Sequence, residues 1–291
     1  MNIQKEFRKH FRPRRRESSK GDYGRVFVVA GSRGLSGACV MTAMAVLRSG
    51  AGLVTVGIPK SLTLPLAKRL TEAMTLPLPE TKQGTLARSA ARPVLKFLAK
   101  EDVLAIGPGL SLNRDAQAAI RKVVLFSKKP MVIDADGLNA FRGKSYLFKK
   151  LKAPAILTPH AGEFVRLFGG KIPKTPLERK RRAAQISRKY RVVLVLKGHG
   201  TVVASPNGKV YVNRTGNPGM ATGGSGDVLT GIIAAMLAQG LDLFRAACFG
   251  VFVHGYAGDL ACREKGEISL IAGDIIAALP AAFQKLLTSK K

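Results

Sequence analysis

The segment RVFVVAGSRGLSGACVMTAMAVLRSGAGLVTVGIP, residues 25–59, contains two short apolar runs separated by a longer mixed stretch. The runs at 25–31 and 53–59 are rich in valine and do not alternate with polar residues, which is typical of strands covered on both faces. Between them, residues 37–50 predict a helix that ends at a glycine. A strand, a helix and a second strand in this order indicate a layered α/β fold with a parallel sheet.

The same alternation continues along the chain. Further strands are predicted at 103–109, 131–137, 155–159 and 192–198, and helices at 114–127, 161–168 and after the capping box that begins at Thr175. Residues 201–212 differ, because two short strands flank a Pro-Asn-Gly turn and predict a hairpin. From residue 226 onward the chain is nearly all helical. We therefore predict one three-layer, doubly wound, mostly parallel α/β domain over 21–291, preceded by a basic arm at 1–20.

The composition favours anionic partners. The chain has 291 residues, of which 48 are basic and 18 acidic, so its formal net charge is +30. These partners could be nucleotides, nucleic acid or a membrane surface, but the basic excess falls in separate segments at 5–20, 142–152 and 171–191 without interleaved aromatic residues, which favours a generally basic surface over a nucleic-acid-binding site. Three cysteines without a paired motif indicate a reducing cytoplasm. The longest apolar run, at 228–238, is too short to cross a bilayer, so no membrane contact is predicted.

Glycine and polar residues recur where the predicted strands end. These positions are Gly31-Ser32, Gly107-Pro108-Gly109, Asp134-Ala135-Asp136, Thr158-Pro159-His160 and Lys197-Gly198. Ligands of doubly wound sheets bind outside the carboxyl ends of the strands, so a site is predicted there. Asp134 and Asp136 are predicted to cap the turn that follows their strand and to form local hydrogen bonds, rather than to hold a metal.

The loop NPGMATGGSGDVLTG, residues 217–231, leads into an apolar helix. Its glycines allow backbone N–H groups to converge, and the helix N-terminus adds unpaired donors, so Gly223, Gly224, Ser225 and Gly226 are predicted to form an anion hole. Asp227 lies in the first helical turn. The loop alone leaves two interpretations open, a helix cap and a general base beside a bound phosphate.

Six motifs in order decide between them: KGDYGRVFVVAGS (20–32), AIGPGL (105–110), IDADGLNA (133–140), LTPHAGEF (157–164), LKGHGT (196–201) and GNPGMATGGSGDVLTG (216–231). Together they resemble the ADP- or ATP-dependent NAD(P)H-hydrate dehydratases of the ribokinase-like superfamily. The resemblance implies that ADP or ATP phosphorylates the hydroxyl of the S-epimer of hydrated NADH or NADPH. Elimination of phosphate then restores the dihydronicotinamide. It also favours the catalytic interpretation of Asp227.

The resemblance assigns residues to roles. Asp227 is the base and contacts the substrate, together with Ala38, Gly109 and His160. Gly226 contacts the nucleotide, and the other nucleotide-binding residues are Lys197, Gly198, His199, Gly200 and Thr201. Glu163 organises Mg²⁺ indirectly, through water. The resemblance further implies a cytoplasmic homotetramer without the fused epimerase domain, so that epimerisation belongs to a separate polypeptide.

Two alternatives remain at this stage. A small-molecule kinase of the same superfamily, acting on a hydroxymethylpyrimidine, thiazole or pyridoxal alcohol, would use the same anion hole and the same Asp227. His160 with Ala38 and Gly109 favours the hydrate instead. A nucleic-acid-binding protein would account for the net charge and would show binding that weakens steeply with salt. It would leave the motifs at the strand ends unexplained.

Overall fold

The computed structural model describes residues 2–11 and 13–288, and within these ranges nine strands form one sheet. The strands are β1 (Arg25–Val29), β2 (Leu53–Pro59), β3 (Met74–Leu78), β4 (Val103–Ile106), β5 (Met131–Ile133), β6 (Ala155–Leu157), β7 (Val193–Leu196), β8 (Val202–Ala204) and β9 (Val210–Val212). They lie in the order β3-β2-β1-β4-β5-β6-β7-β8-β9. The pairs from β3 to β7 are parallel, and β7-β8 and β8-β9 are antiparallel.

Helices cover both faces of this sheet. They are α1 (Ile3–His10), α2 (Ser36–Arg48), α3 (Thr63–Ala67), α4 (Ala91–Leu98), α5 (Arg114–Phe126), α6 (Ala135–Asn139), α7 (Ala161–Phe168), α8 (Pro176–Tyr190), α9 (Ser225–Ala238), α10 (Leu243–Lys265) and α11 (Ala272–Thr288). Buried residues of α2, α9, α10 and α11 form one core, and those of α4, α5, α7 and α8 form the other. The predicted doubly wound, mostly parallel α/β fold is confirmed.

Strand β1 shows why the apolar runs do not alternate. Val26 and Val28 belong to the first core, whereas Phe27 and Val29 belong to the second, and all four are fully buried. Successive side chains of a strand point to opposite faces, so a strand covered on both faces needs apolar residues at every position. The predicted bounds of β2 and α7 match the structure, and the hairpin of β8 and β9 is confirmed.

The sequence did not predict β3, α1 or α4. Strand β3 lies at the edge of the sheet, where Met74 is half exposed and Pro77 pairs with Ile58 of β2. Proline has no backbone N–H to donate to a neighbouring strand, so it is tolerated on an edge strand, where one side is unpaired. The apolar pattern of β3 is weak because the strand is partly exposed. The predicted strand at 131–137 ends earlier, at Ile133, because α6 begins at Ala135. None of the helices in the described ranges combines the length and the apolar character needed to cross a membrane.

The N-terminal arm carries a helix that packs on the domain. Phe7 of α1 is fully buried, and its ring centroid lies 4.5 Å from that of Phe11, 5.4 Å from Phe249 and 6.0 Å from Phe283. Arg8 Nε donates a hydrogen bond of 2.8 Å to the carbonyl of Leu286. This end of the chain therefore covers α10 and α11.

Replacing Phe7 with alanine should release α1 from the domain. A buried Phe→Ala change lowers the free energy of unfolding by about 3–5 kcal/mol where the surrounding residues cannot fill the cavity. Here α1 can instead undock, so the loss cannot exceed the free energy with which α1 docks on the domain. We expect faster trypsin cleavage within residues 13–16 and a lower melting temperature. Lys9→Ala, at an exposed position of the same helix, is the control. Equal cleavage rates in Phe7→Ala and the wild type would contradict this packing.

Candidate active site

The carboxyl ends of neighbouring parallel strands bring the sequence motifs together. Ser32, after β1, donates from its hydroxyl to the carbonyl of Gly109, after β4, at 2.8 Å. His160, after β6, forms a parallel β-bridge with Lys197, after β7. The first turn of α9 lies against the same edge, because a Cβ atom on Gly226 would lie 3.2 Å from Lys197 Nζ. The predicted strand-end site therefore exists as one continuous region.

A cleft of about 1420 Å³ opens at this edge. It brings together most of the predicted nucleotide and anion residues, with one predicted substrate residue: Lys197, Gly198, His199, Gly200, Thr201, Ser225, Gly226 and His160. Basic side chains from α8, the segment before it and the segment after β9 add to its walls, namely Arg179, Lys180, Lys174 and Arg214. The predicted residues Ala38, Gly109, Glu163, Gly223, Gly224 and Asp227 are not among the walls of this cleft.

The predicted anion hole is a turn that leads into α9. Gly224 is the residue before the helix and has a left-handed backbone with φ 89°. A side chain there would also collide with the thioether of Met41 in α2, so only glycine fits. The backbone N–H groups of Gly226 and Asp227, in the first helical turn, have no intrahelical acceptor, and they form the positive end of the helix dipole. This turn can bind an anion at Gly226, which lines the cleft.

Asp227 does not cap its helix. The residue that precedes α9 is Gly224, and no side chain accepts a capping hydrogen bond at this end. Burial raises the pKa of Asp227 to about 7, the Asp134 carboxylate adds to the rise, and the Lys197 ammonium opposes it. A carboxylate that titrates near neutral pH is well suited to accept and release a proton.

The Lys197 ammonium lies in a buried cluster of acidic groups. Nζ donates to Asp134 Oδ1 at 2.6 Å and lies 4.0 Å from Glu163 Oε2. Asp134 Oδ2 accepts a second hydrogen bond of 2.8 Å from the hydroxyl of Thr230 in α9. Burial acts to lower the pKa of Lys197, but Asp134 and Glu163 outweigh it, and the net shift is upward. The lysine therefore stays charged next to the anion-binding turn.

The two aspartates after β5 behave differently from each other. Asp136 accepts from the side chain of Asn139 at 3.2 Å, which confirms the predicted local hydrogen bond, but it lies within α6 and does not cap the turn, and its second bond, from the N–H of Ser111 at 2.8 Å, comes from the distant turn after β4. For Asp134 the prediction is wrong. It precedes α6 without making a side-chain cap, because both of its oxygens are taken by Lys197 and Thr230.

His160 precedes α7 and caps it. Its Nδ1 accepts from the N–H groups of Gly162 at 3.0 Å and Glu163 at 3.4 Å, while Glu163 Oε2 accepts from the N–H of His160 at 2.9 Å. An Nδ1 that accepts places the proton of the neutral ring on Nε2. The side chain is 52% exposed and lines the cleft, so the same residue can cap its helix and donate to a ligand.

Glu163 does not fit as a direct metal ligand. Besides the bond to the N–H of His160, its Oε1 lies 3.5 Å from Nε2 of the same ring, and burial raises the pKa of its carboxyl. Across residues 2–11 and 13–288, no group of three acidic, histidine or cysteine side chains is arranged to hold a metal ion. Contact with a metal through water is the one role that this geometry leaves to Glu163.

Ala38 and Gly109 contact each other. A Cβ atom on Gly109, where φ is +62°, would lie 2.9 Å from Ala38 Cβ and 2.7 Å from the carbonyl oxygen of Leu35. Close packing therefore accounts for the small size of both residues. The next residue of α2, Cys39, has its pKa raised by burial and further by the charge of Asp227, so the start of α2 lies near Asp227.

Two residues of the cleft were missed by the sequence analysis. His254 of α10 has its Nε2 3.3 Å from the hydroxyl of Ser225, and burial lowers its pKa to about 4, so it is neutral. Arg179 of α8 donates from Nη2 to the carbonyls of Leu196 at 2.9 Å and Lys197 at 3.2 Å. Nothing local distinguishes a single histidine in an apolar helix or one arginine within a basic run.

The fold and this site define a class of protein. A doubly wound, mostly parallel sheet whose strand ends meet a glycine-rich turn at a helix N-terminus is the arrangement of the ribokinase-like class of α/β proteins, and a ribokinase-like superfamily protein of Enterococcus faecalis superposes with a TM-score of 0.83 at 30% identity, with 98% of this chain and 95% of that chain covered. A sequence model of the NAD(P)H-hydrate dehydratase family matches residues 26–281, and the chain belongs to this family.

Individual relatives agree with this assignment. The bifunctional NAD(P)H-hydrate repair enzyme of Moorella thermoacetica is 47% identical over 275 residues, which cover 94% of this chain and 52% of the relative. The ADP-dependent (S)-NAD(P)H-hydrate dehydratase of Neisseria meningitidis is 37% identical, with 92% of this chain and 88% of that protein covered. The chain thus spans about half the length of the bifunctional relatives it matches and most of the length of the Neisseria protein.

Solved structures agree as well. The ADP/ATP-dependent NAD(P)H-hydrate dehydratase of Bacillus subtilis, co-crystallised with ATP and Mg²⁺, superposes with a TM-score of 0.84 at 30% identity, and 97% of each chain is covered. Hydroxyethylthiazole kinase of Pyrococcus horikoshii superposes with a TM-score of 0.63 at 15% identity and shows the shared fold alone.

Asp227→Asn should stabilise the protein at alkaline pH. Because the folded-state pKa of Asp227 is raised from 3.8 to about 7, the folded chain binds this proton more tightly than the unfolded chain. Ionised Asp227 therefore lowers stability progressively from about pH 4 to pH 7, and the loss is complete above that. We expect the variant to melt above the wild type at pH 8, with a difference that shrinks toward pH 4. A pH-independent difference would contradict the buried, ionisable Asp227.

Proposed function

We propose that the chain catalyses the ADP- or ATP-dependent dehydration of the S-epimer of NAD(P)H hydrate, a metabolite-repair reaction. The observation that carries this proposal is Asp227, a free carboxylate with a pKa of about 7 directly after the glycine that joins the anion-binding turn to the nucleotide cleft. Membership of the NAD(P)H-hydrate dehydratase family and the names of the Neisseria and Bacillus relatives support it.

The first step would transfer a phosphoryl group. Asp227 accepts the proton of the substrate hydroxyl while that oxygen attacks the terminal phosphorus of the donor, and the bond to AMP or ADP breaks. The N–H groups of the turn at 223–226 stabilise the charge on the transferred group. In the second step the carbon–oxygen bond breaks, inorganic phosphate leaves and the ring loses a proton. The ring proton leaves with the phosphate and Asp227 releases the hydroxyl proton to solvent, so the products are NAD(P)H, inorganic phosphate, AMP or ADP, and one proton.

The nucleotide would lie along residues 197–201 and reach Gly226 with its phosphates. The basic side chains of Lys174, Arg179 and Lys180 line the same cleft, and their charge favours an anionic donor. On the substrate side, His160 lines the cleft, whereas Ala38 and Gly109 lie near Asp227 on the side of α2. The proposed hydrate would therefore reach Asp227 between His160 and the start of α2.

Mg²⁺ belongs to the proposal only as an ion carried on the phosphates of the donor, where its charge would assist their binding. No group of three acidic, histidine or cysteine side chains in the described chain could hold it, and Glu163, whose Oε2 already accepts from the N–H of His160, would reach it through water. We also propose a cytoplasmic homotetramer that works with a separate epimerase polypeptide. The free cysteines, two of them buried, support the reducing compartment, and the fused bifunctional relatives support the link to epimerisation.

Asp227→Asn should abolish dehydration without unfolding the chain. General-base catalysis contributes about 10²–10⁴-fold, so turnover should fall by that factor when purified S-NADHX and ADP or ATP are supplied. The measurement is the absorbance of the restored dihydronicotinamide. In the wild type, kcat should fall below about pH 7, where Asp227 becomes protonated.

Asp242→Asn is the matched control, because Asp242 caps α10 and asparagine caps equally well. The control should retain wild-type turnover. Wild-type turnover in Asp227→Asn itself would refute the base. Turnover of a hydroxymethylpyrimidine, thiazole or pyridoxal alcohol, with none of the hydrate, would establish the small-molecule kinase instead.

Gly226→Ala should weaken ADP binding. A methyl group at this position would lie 3.2 Å from Lys197 Nζ, in the space that the phosphate is proposed to occupy. Calorimetry should give one ADP site per wild-type chain and at least about a tenfold loss of affinity in the variant, equivalent to about 1.4 kcal/mol.

Gly273→Ala is the control, since Gly273 is likewise the second residue of a helix, α11, and has room for a methyl group. Equal ADP affinity in both alanine variants would remove Gly226 from the nucleotide site. The absence of ADP and ATP binding to the wild type would remove the site itself.

A further inference from the structure

Asp134 is committed to two partners that lie far away in sequence. Its Oδ1 accepts from Lys197 and its Oδ2 from Thr230, and the residue is only 1% exposed. Thr230 is fully buried and lies three residues after Asp227 on α9, so it shares the helical face of Asp227. Asp134 therefore joins the end of β5 to the end of β7 and to the helix that carries the proposed base.

The Lys197 ammonium is fixed at a particular point by this arrangement. Among the described residues, only Asp134 lies within hydrogen-bond distance of Nζ, although the ammonium has three N–H groups. The side chain keeps 17% of its surface exposed and lines the cleft beside Gly226. An N–H group of the ammonium is thus left for a ligand at the anion-binding turn.

We propose that Asp134, held by Thr230, is a positioning residue that fixes the Lys197 ammonium beside the first turn of α9, where the ammonium contacts the phosphoryl group that is transferred. This inference rests on the proposed function. It assigns no proton transfer to Asp134 or to Lys197, and Asp227 remains the base.

Competition between carboxylates explains why such a residue is needed. The titratable groups around Lys197 come from every neighbouring element: Asp134 after β5, Glu163 of α7, Arg179 of α8, Asp227 of α9 and the neutral His254 of α10. A lysine without a fixed partner could turn to Glu163 or to Asp227, and a pair with Asp227 would lower the pKa of the base. Asp134 prevents this, because its carboxylate lies 2.6 Å from Nζ.

Asp134→Asn tests the electrostatic part of the inference. Without the Asp134 charge, burial should lower the pKa of Lys197, so that the ammonium loses its proton at a lower pH than in the wild type. Nuclear magnetic resonance of the lysine side chains, with the signal of Lys197 assigned through Lys197→Arg, measures this titration without any substrate. ADP affinity, measured by calorimetry from pH 7 to 10, should then begin to fall at a lower pH in the variant than in the wild type.

Thr230→Val and Thr230→Ser test the geometric part. Valine keeps the shape of threonine but removes the donor to Asp134 Oδ2, and we expect kcat to fall about tenfold, with little change in KM for the hydrate. Serine keeps the hydroxyl and should restore most of the turnover. Asp136→Asn is the control for the aspartate variant, since Asp136 lies on the same turn without a cation and should leave the titration of Lys197 unchanged.

The outcomes separate the two proposals. A Lys197 titration that is the same in Asp134→Asn as in the wild type would overturn the positioning role, even if the variant lost activity through instability. A fall of kcat in Thr230→Val that is equally large in Thr230→Ser would also overturn the positioning role. A wild-type protein that binds ADP but does not dehydrate the hydrate would overturn the proposed function, and the titration of Lys197 would still decide the role of Asp134.

Discussion

The ion pair between Lys197 and Asp134 is the contact on which the arrangement of the site depends. It spans β6 to connect the ends of β5 and β7, and the hydroxyl of Thr230 extends it to α9. Removing two charges from water is costly, and their mutual attraction offsets that cost only when the geometry is good and further hydrogen bonds are present. A distance of 2.6 Å and the additional bond from Thr230 meet that condition. Such a pair contributes little net stability, but either partner alone would be a buried charge, so the two sides of the site must assemble together.

The backbone segments that follow β4 and β5 have to pack closely together for the pair of Lys197 and Asp134 to form. Gly107 ends β4 with φ +129°, and a side chain there would collide with the carbonyl group of Asp134. Gly137 stands equally close, since a Cβ atom on it would lie 2.7 Å from the carbonyl oxygen of Ile106. These two glycines allow the turns after β4 and β5 to pack against each other. They therefore serve the geometry of the site by bringing Asp134 to Lys197, without contacting a ligand themselves.

The sequence predicted the parts of this structure that local patterns encode. Strands covered on both faces are continuous apolar runs, and the capping box at Thr175 marks the start of α8, so both were predictable. The edge strand β3 and the docked helix α1 were not, because their apolar signals are weak and their burial depends on distant partners such as Phe249 and Phe283. The role of Asp134 was unpredictable for the same reason, since its partners lie 63 and 96 residues further along the chain. From the sequence alone, a carboxylate that follows a strand is expected to cap a turn. Only the folded structure shows that Asp134 pairs with Lys197.

The acidic groups of the site differ in their hydrogen-bond partners. Asp134 has a lysine and a hydroxyl, Glu163 has the N–H and the ring of His160, and Asp227 has neither kind of partner at hydrogen-bond distance in the described chain. Burial without a partner raises the pKa of Asp227 to about 7, whereas both carboxylate oxygens of Asp134 accept hydrogen bonds. Two neighbouring carboxylates with separated roles are what proton transfer near neutral pH requires. Because its folded-state pKa is raised, the ionised Asp227 destabilises the fold that holds it, and the two apolar cores of the domain have to offset that cost.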